Sequence, residues 1–259
     1  MMKKRIFSAV LLSAAMLAPA ALQASAMAAT ASSAKSAGAS TTASSVKSKA
    51  SASQKTKVLD NGYPFAQVPF TSVKIAQNTF WGARLKAARE VTVPLAFSKC
   101  ESEHRYKNFE MAAYTLQHPG HAGLDTKEWD VSKFMGFSFD DTDVYKTIEG
   151  ASYILQTYPD KKMKAYIDSV LNVVGAAQEP DGYLYTARTI NPKHPHGWSG
   201  ATRWSKVEVL SHELYNLGHM VDAACAHFQA TGSRKFLDIA KRYADCVIRE
   251  VGSQAGQHR

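Results

Sequence analysis

From Thr142 to Gln178, and again from Lys206 to Ile248, a broadly apolar segment is followed, after a tight link, by a sharply amphipathic one. The links are Tyr158-Pro159-Asp160 and Thr231-Gly232-Ser233. In the second member of each pair the apolar residues recur at i, i+3, i+4 and i+7, the spacing that gathers them on one stripe of a helix. They are Met163, Tyr166, Ile167, Val170, Leu171, Val174 and Ala177 in one, and Phe236, Leu237, Ala240, Tyr243, Ala244, Val247 and Ile248 in the other. Lys162, Lys164, Asp168 and Asn172, or Asp238, Lys241, Arg242, Asp245 and Arg249, fall on the opposite, wet face. The first members carry apolar or small residues over most of their circumference, so they must be covered on more than one side. This alternation predicts inner and outer walls of a helical toroid built from antiparallel hairpins.

In the later inner helix, read from Val207, the stripe Leu210, Leu214, Leu217, Val221, Ala224 and Phe228 forms one seam. His212 and His219 fall within about 20° of each other and roughly opposite that seam at 3.6 residues per turn. A face carrying imidazoles in place of aliphatics is where a ligand would sit. Upstream, Val58 to Ile75 reads as an extended lead-in with a short strand. Phe80 to Lys99 reads as a helix kinked at Pro94, and Arg105 to Leu116 as a helix ended by Gln117-His118-Pro119-Gly120-His121. About six helices result, in three hairpins.

Gln178-Glu179-Pro180-Asp181-Gly182 is turn chemistry. The stretch after it, Tyr183 to Trp204, is long for a connection between helices, and such connections are usually functional or disordered. It holds Tyr183, Tyr185, Arg188, His194, His196, Trp198, Arg203 and Trp204. Aromatic faces with Arg and His donors suit a sugar, and they equally suit packing over a barrel mouth.

Two strings carry candidate chemistry. FDDTDVYK sets Asp140, Asp141 and Asp143 at the start of an inner helix, where acidic side chains cap free amides and interact well with the dipole. Three exceed what capping needs, and a paired-carboxylate glycosidase site is the alternative. SHELYNLGH holds His212, Glu213, Tyr215 and His219; its second His comes seven residues after the first, so it is not the zinc motif HExxH. His212, beside the aromatic loop, is the stronger ligand-contacting candidate, and His219 lies two turns deeper. Asp143 and Trp204 complete the expected substrate-binding set.

The ends and the charge narrow the class. Residues 1–26 read as a secretory signal peptide, with Lys3, Lys4 and Arg5 before the apolar run Ile6 to Leu22 and small residues at a cleavage site. A periplasmic or secreted location follows, and no later stretch is long enough to span a membrane. Residues 27–57 are nearly all Ala, Ser, Thr and Lys, a disordered linker, which leaves 58–259 as the folded part. The formal charge is +9, but residues 1–57 hold eight Lys and Arg and no acid. Removing those from 31 leaves 23 basic against 22 acidic residues. A nearly neutral folded part argues against a nucleic-acid partner. Cys100, Cys225 and Cys246 form no CxxC pair, and an odd count rules out a complete disulfide framework. Cys225 and Cys246 are placed to meet across the second hairpin, but two buried free thiols are the favoured reading.

Together these strings resemble glycoside hydrolase family 127, the β-L-arabinofuranosidases. The matching stretches are NTFW at 78–81, FDDTDVYKTIEGASY at 139–153, AQEPDGYLYT at 177–186, SHELYNLGHMVDAACAHFQATG at 211–232 and LDIAKRYADCV at 237–247. The resemblance covers roughly Val68 to Val251 and implies an all-α (α/α)6 barrel, of which about three hairpins are present. It implies a carbohydrate substrate, an arabinofuranoside, and carries onto His212 the contact that the first His of the HELY-like motif makes with the sugar. The family's reaction is retaining hydrolysis in which a zinc-bound Cys thiolate, ionised at neutral pH, attacks the anomeric carbon and a Glu serves as acid and base. Zinc is therefore expected for the full-length family enzyme, held by three Cys and one Glu. Those catalytic residues are expected beyond residue 259, and this chain is expected to bind no metal itself. The competing readings are a non-catalytic or vestigial sugar-binding domain and an (α/α)6 enzyme of another specificity, such as an unsaturated-uronyl hydrolase using the Asp cluster. Half a toroid would expose apolar barrel edges, and self-association through them is expected.

Overall fold

A computed structural model describes residues 68–120 and 136–258. The signal peptide at 1–26, the linker at 27–57 and the start of the lead-in lie outside the described residues, as does residue 259. Within the unit Asp60–Arg259, the described residues form α1 (Phe80–Ala87), α2 (Val93–Ser102), α3 (Arg105–Gln117), α4 (Asp141–Thr157), α5 (Lys161–Ala176), the single turn α6 (Thr186–Thr189), α7 (Glu213–Thr231) and α8 (Lys235–Glu250). No helix among them is long and apolar enough to cross a membrane.

The ends follow local chemistry. Thr79 Oγ1 accepts the Gly82 amide at 3.1 Å to start α1, and Asp160 Oδ1 accepts the Lys162 and Met163 amides at 2.8 and 3.1 Å to start α5. Gly232, at φ +71°, closes α7 with its N–H on the Phe228 carbonyl. Between α1 and α2 the chain makes a π-helical turn, Ala88–Thr92. Pro94 cannot donate to the carbonyl four residues back and its ring crowds that group; widening the preceding turn relieves the conflict.

α4 packs most extensively on α7, α2 lies against α4, α3 against α5, and α5 against α8. The inner order is thus α2, α4, α7, and the outer order α3, α5, α8, the arrangement of consecutive hairpins in an (α/α)6 barrel. Phe109, Tyr145, Ile148, Leu171, Met220, Phe236 and Tyr243 are fully buried between the layers. Each aliphatic or aromatic side chain of this kind contributes about 1.5–3 kcal/mol by leaving water.

Several expectations need correction. The last inner helix starts at Glu213 instead of Lys206. Residues 206–211 fold into a tight turn in which the Lys206 carbonyl accepts the amides of Val209, Leu210 and Ser211, and His212 breaks the helix at φ +56°. The buried stripe of α7 is Glu213, Asn216, Met220, Ala223, Ala224 and His227, while Leu214, Val221 and Phe228 of the expected seam are exposed. That inner stripe holds polar groups because it meets the aromatic loop, and its aliphatic flank has no covering element among the described residues. Ile248 is 69% exposed, outside the buried stripe of α8. Cys225 is exposed, so the thiols of Cys225 and Cys246 are free but not both buried. The described part of the lead-in makes a 3-10 turn, Phe70–Ser72, and no strand.

Candidate functional site

Because α4 and α7 lie side by side, the residues that open them share one end of the inner layer. Phe137 and Phe139, just before α4, stack at 5.3 Å with nearly parallel rings, and Trp198 of the long loop stacks on both, at 5.7 and 6.5 Å. Phe139 meets the His212 ring at 4.9 Å, His212 meets Tyr215 edge-on at 5.6 Å, and Tyr215 meets His219 at 4.5 Å. The two imidazoles are therefore joined through Tyr215 and do not share a plain helical face. Lys146 Nζ donates to the Tyr215 hydroxyl at 2.6 Å and lies 4.8 Å from the centre of its ring. Phe137 is 52% exposed and Tyr215 43%. Burial first, then the Lys146 charge, lowers the pKa of His219, so its ring stays neutral at physiological pH.

The three acids of the DDTD string have separate fates. Asp140 is buried, pairs with Arg105 at 3.0 Å and accepts the Phe137 amide at 2.8 Å. Asp141 is buried and accepts the amide and hydroxyl of Thr186, tying α4 to the turn α6. Asp143, its side chain 48% exposed, pairs with Arg105 at 2.8 Å. Only Asp143 offers a carboxylate to solvent, so no two of them form the open pair that acid–base hydrolysis needs. Burial raises the pKa of Asp140 to about 6 and of Asp141 to about 7. A carboxyl whose folded pKa lies above its unfolded value adds stability that is present at low pH and is lost as the pH rises through the folded value. Unfolding stability should therefore fall between about pH 4 and pH 7. Asp141→Asn, which keeps an acceptor for the Thr186 amide, should flatten that slope. Urea denaturation curves at stepped pH check it, and equal slopes in the two proteins would count against it.

Trp204 is placed in the core. It is 5% exposed, its amide donates to both oxygens of Glu213 at 3.1 and 3.0 Å, and its indole N–H donates to Glu250 at 2.7 Å. It anchors the loop and has no donor left for a ligand. Beside it Arg203 pairs with Glu179, Asp181 and Glu250 at 2.6, 2.6 and 2.9 Å and stacks over Tyr183 at 4.0 Å. The structure thus brings together His212, His219 and Asp143 around Tyr215 and Lys146, and sets Trp204 behind them. Phe137 and Lys146 were not legible as site residues; the signal was an aromatic pair bracketing Ser138 directly before the acidic string.

Among the described residues one group gathers metal-capable atoms, Asp181, Cys246 and Glu250, all within 4.8 Å of one another. It does not fit a zinc centre. Both carboxylates already bind the Arg203 guanidinium, whose charge would repel a cation there. Burial, then Glu250, pushes the Cys246 thiol up to about 12, and that thiol donates to Glu250. The cluster is an ion-pair knot.

Comparison with known proteins fits this arrangement. A family model described as the β-L-arabinofuranosidase GH127 catalytic domain matches residues 72–259. A non-reducing end β-L-arabinofuranosidase of Bifidobacterium longum subsp. longum is 38% identical over 125 residues, 48% of this chain and 18% of that protein. A solved GH127 β-arabinofuranosidase is 64% identical with a TM-score of 0.68, covering 76% of this chain and 29% of that one. A GH127 β-L-arabinofuranosidase from Geobacillus stearothermophilus T6 is 33% identical with a TM-score of 0.58, covering 69% and 26%. The chain spans less than a third of the length of each of these relatives. The match over most of its length, in sequence and in fold, places this chain in the GH127 β-L-arabinofuranosidase catalytic-domain family.

Proposed function

We propose that this chain supplies the sugar-binding wall of an exported, retaining β-L-arabinofuranosidase, with His212 as its principal contact to a non-reducing-end arabinofuranose. The observation that carries this is the unbroken row Trp198, Phe137, Phe139, His212, Tyr215 and His219 at the opening of the inner helices. Aromatic faces accept the C–H face of a furanose, while His212, the Lys146–Tyr215 pair and Asp143 supply polar partners for its hydroxyls. Retaining hydrolysis also needs a nucleophile and an acid–base residue, and no described residue is arranged for either. Burial raises the pKa of the Cys100 and Cys246 thiols, so neither is poised as a thiolate. No catalytic step is therefore assigned to this chain, and its part in the reaction is to bind and orient the sugar.

Saturation-transfer NMR and calorimetry with methyl β-L-arabinofuranoside test this reading. Binding should be measurable with the whole chain and about tenfold weaker in His212→Ala, the loss of one well-placed hydrogen bond with its ring contact. No transfer to the sugar, or equal affinity in the variant, would overturn it.

A further inference from the structure

We infer that Glu213 is a positioning residue: its buried carboxylate, acting through Ser211 and the turn before α7, holds His212 as the Nδ1–H tautomer and leaves Nε2 as a hydrogen-bond acceptor. Glu213 is fully buried and makes no ion pair among the described residues. Its oxygens are held instead by three donors, the Tyr183 hydroxyl at 2.6 Å, the Trp204 amide at 3.1 and 3.0 Å and the Ser211 hydroxyl at 2.8 Å. A carboxylate only accepts, so it can serve donors arriving from three segments at once, which neither Gln nor a hydroxyl can do.

The three segments are the ones that shape His212. Ser211 is its neighbour, and the Ser211 carbonyl accepts the Tyr185 hydroxyl. The Leu210 carbonyl accepts the Ser138 hydroxyl at 3.0 Å and faces His212 Nδ1 at 2.7 Å. A carbonyl has no proton to give, so Nδ1 must carry the hydrogen, and in the neutral ring Nε2 then holds the lone pair. On the helix side the His212 carbonyl accepts both the amide and the side-chain Nδ2 of Asn216 at 2.8 Å. His212 sits in the left-handed region at φ +56°, where a residue with a Cβ stays only if its surroundings fix it. Glu213 is the buried centre of those surroundings. A ligand at His212 must then present a donor, and a sugar hydroxyl does so.

Long-range 1H–15N spectra of the imidazoles in the whole labelled chain read the tautomer directly. The expected result is a pure Nδ1–H pattern for His212 in the native protein. In Glu213→Gln, which turns an amide donor toward other donors, the expected result is a mixture of tautomers. Ser211→Ala breaks the same link without burying a new donor, so it carries the test if Glu213→Gln does not fold; it should give the same mixture, and Glu213→Asp should restore part of the native pattern. A Nε2–H pattern in the native chain, or an unchanged pattern in the folded variants, overturns the inference. The second readout rests on the proposed function: the dissociation constant for methyl β-L-arabinofuranoside should rise about tenfold in Glu213→Gln or Ser211→Ala. If the native chain binds no sugar while the tautomer still responds, the functional proposal fails and this one stands.

Discussion

Arg203→Met is expected to lower folding stability by about 3 kcal/mol, the scale of removing one partner from a buried ion pair. The guanidinium is the single cation on which Glu179, Asp181 and Glu250 converge, and its side chain is only 23% exposed. Met fills the volume over the Tyr183 ring but leaves three carboxylates facing one another. The loss should depend on pH in a definite direction. Burial alone would raise the Asp181 pKa, but the hydrogen bonds and charge of Arg203 outweigh it and the net value is lowered. A lowered carboxyl adds stability above its ordinary range and loses it as the pH falls through the folded value. The gap between native and variant proteins should thus be full at neutral pH and shrink below about pH 4, near the ordinary carboxyl range. Urea denaturation at pH 7 and pH 3.5 measures both; a gap that is small at pH 7 or grows in acid would contradict the assignment.

The consequence reaches the ligand wall, because Arg203 is followed by Trp204, whose amide and indole hold Glu213 and Glu250. The loop carrying Trp198 is therefore clamped from the far side of the sheetless core, away from the surface a sugar would touch.

The outer helices were legible because their apolar residues keep a strict period with charged residues opposite; Ile167, Val170, Leu171 and Val174 of α5 are all buried as that period requires. The capping Asp160 and the closing Gly232 were legible for the same local reason, since each satisfies its own helix end. The start of α7 was not. Its position depends on Glu213 drawing Trp204 and Ser211 back across the helix end, and contacts between residues nine apart leave no mark on a helical period. Trp204 was misplaced for a related reason: an aromatic in a long loop looks the same in sequence whether it faces a ligand or closes a core. His212 was found from its neighbours, but its link to His219 runs through Tyr215, which only the turn geometry at φ +56° establishes.

Gly182→Ala should prove as damaging as the loss of Arg203, for two independent reasons. Gly182 sits at φ +98°, where an L side chain is strained, and a Cβ there would lie 2.2 Å from the carbonyl oxygen and 2.8 Å from the carbonyl carbon of Arg242. Both are backbone atoms of α8, so no side chain can swing aside. The left-handed conformation costs about 1–2 kcal/mol and forced overpacking about 1–3 kcal/mol more, a total near 3 kcal/mol. The turn cannot simply move, because Gln178 Nε2 donates to both the Gly182 and the Ile239 carbonyls at 2.9 Å and stitches it to α8. Gly150→Ala is the matched control: Gly150 lies inside α4 with nothing within 4 Å of the new Cβ, so the same methyl should stabilise by up to about 1 kcal/mol. Denaturation midpoints that move in opposite directions for the two variants are the expected outcome. Midpoints that move together would show that the turn after α5 yields, and with it the hold of Tyr183 on Glu213.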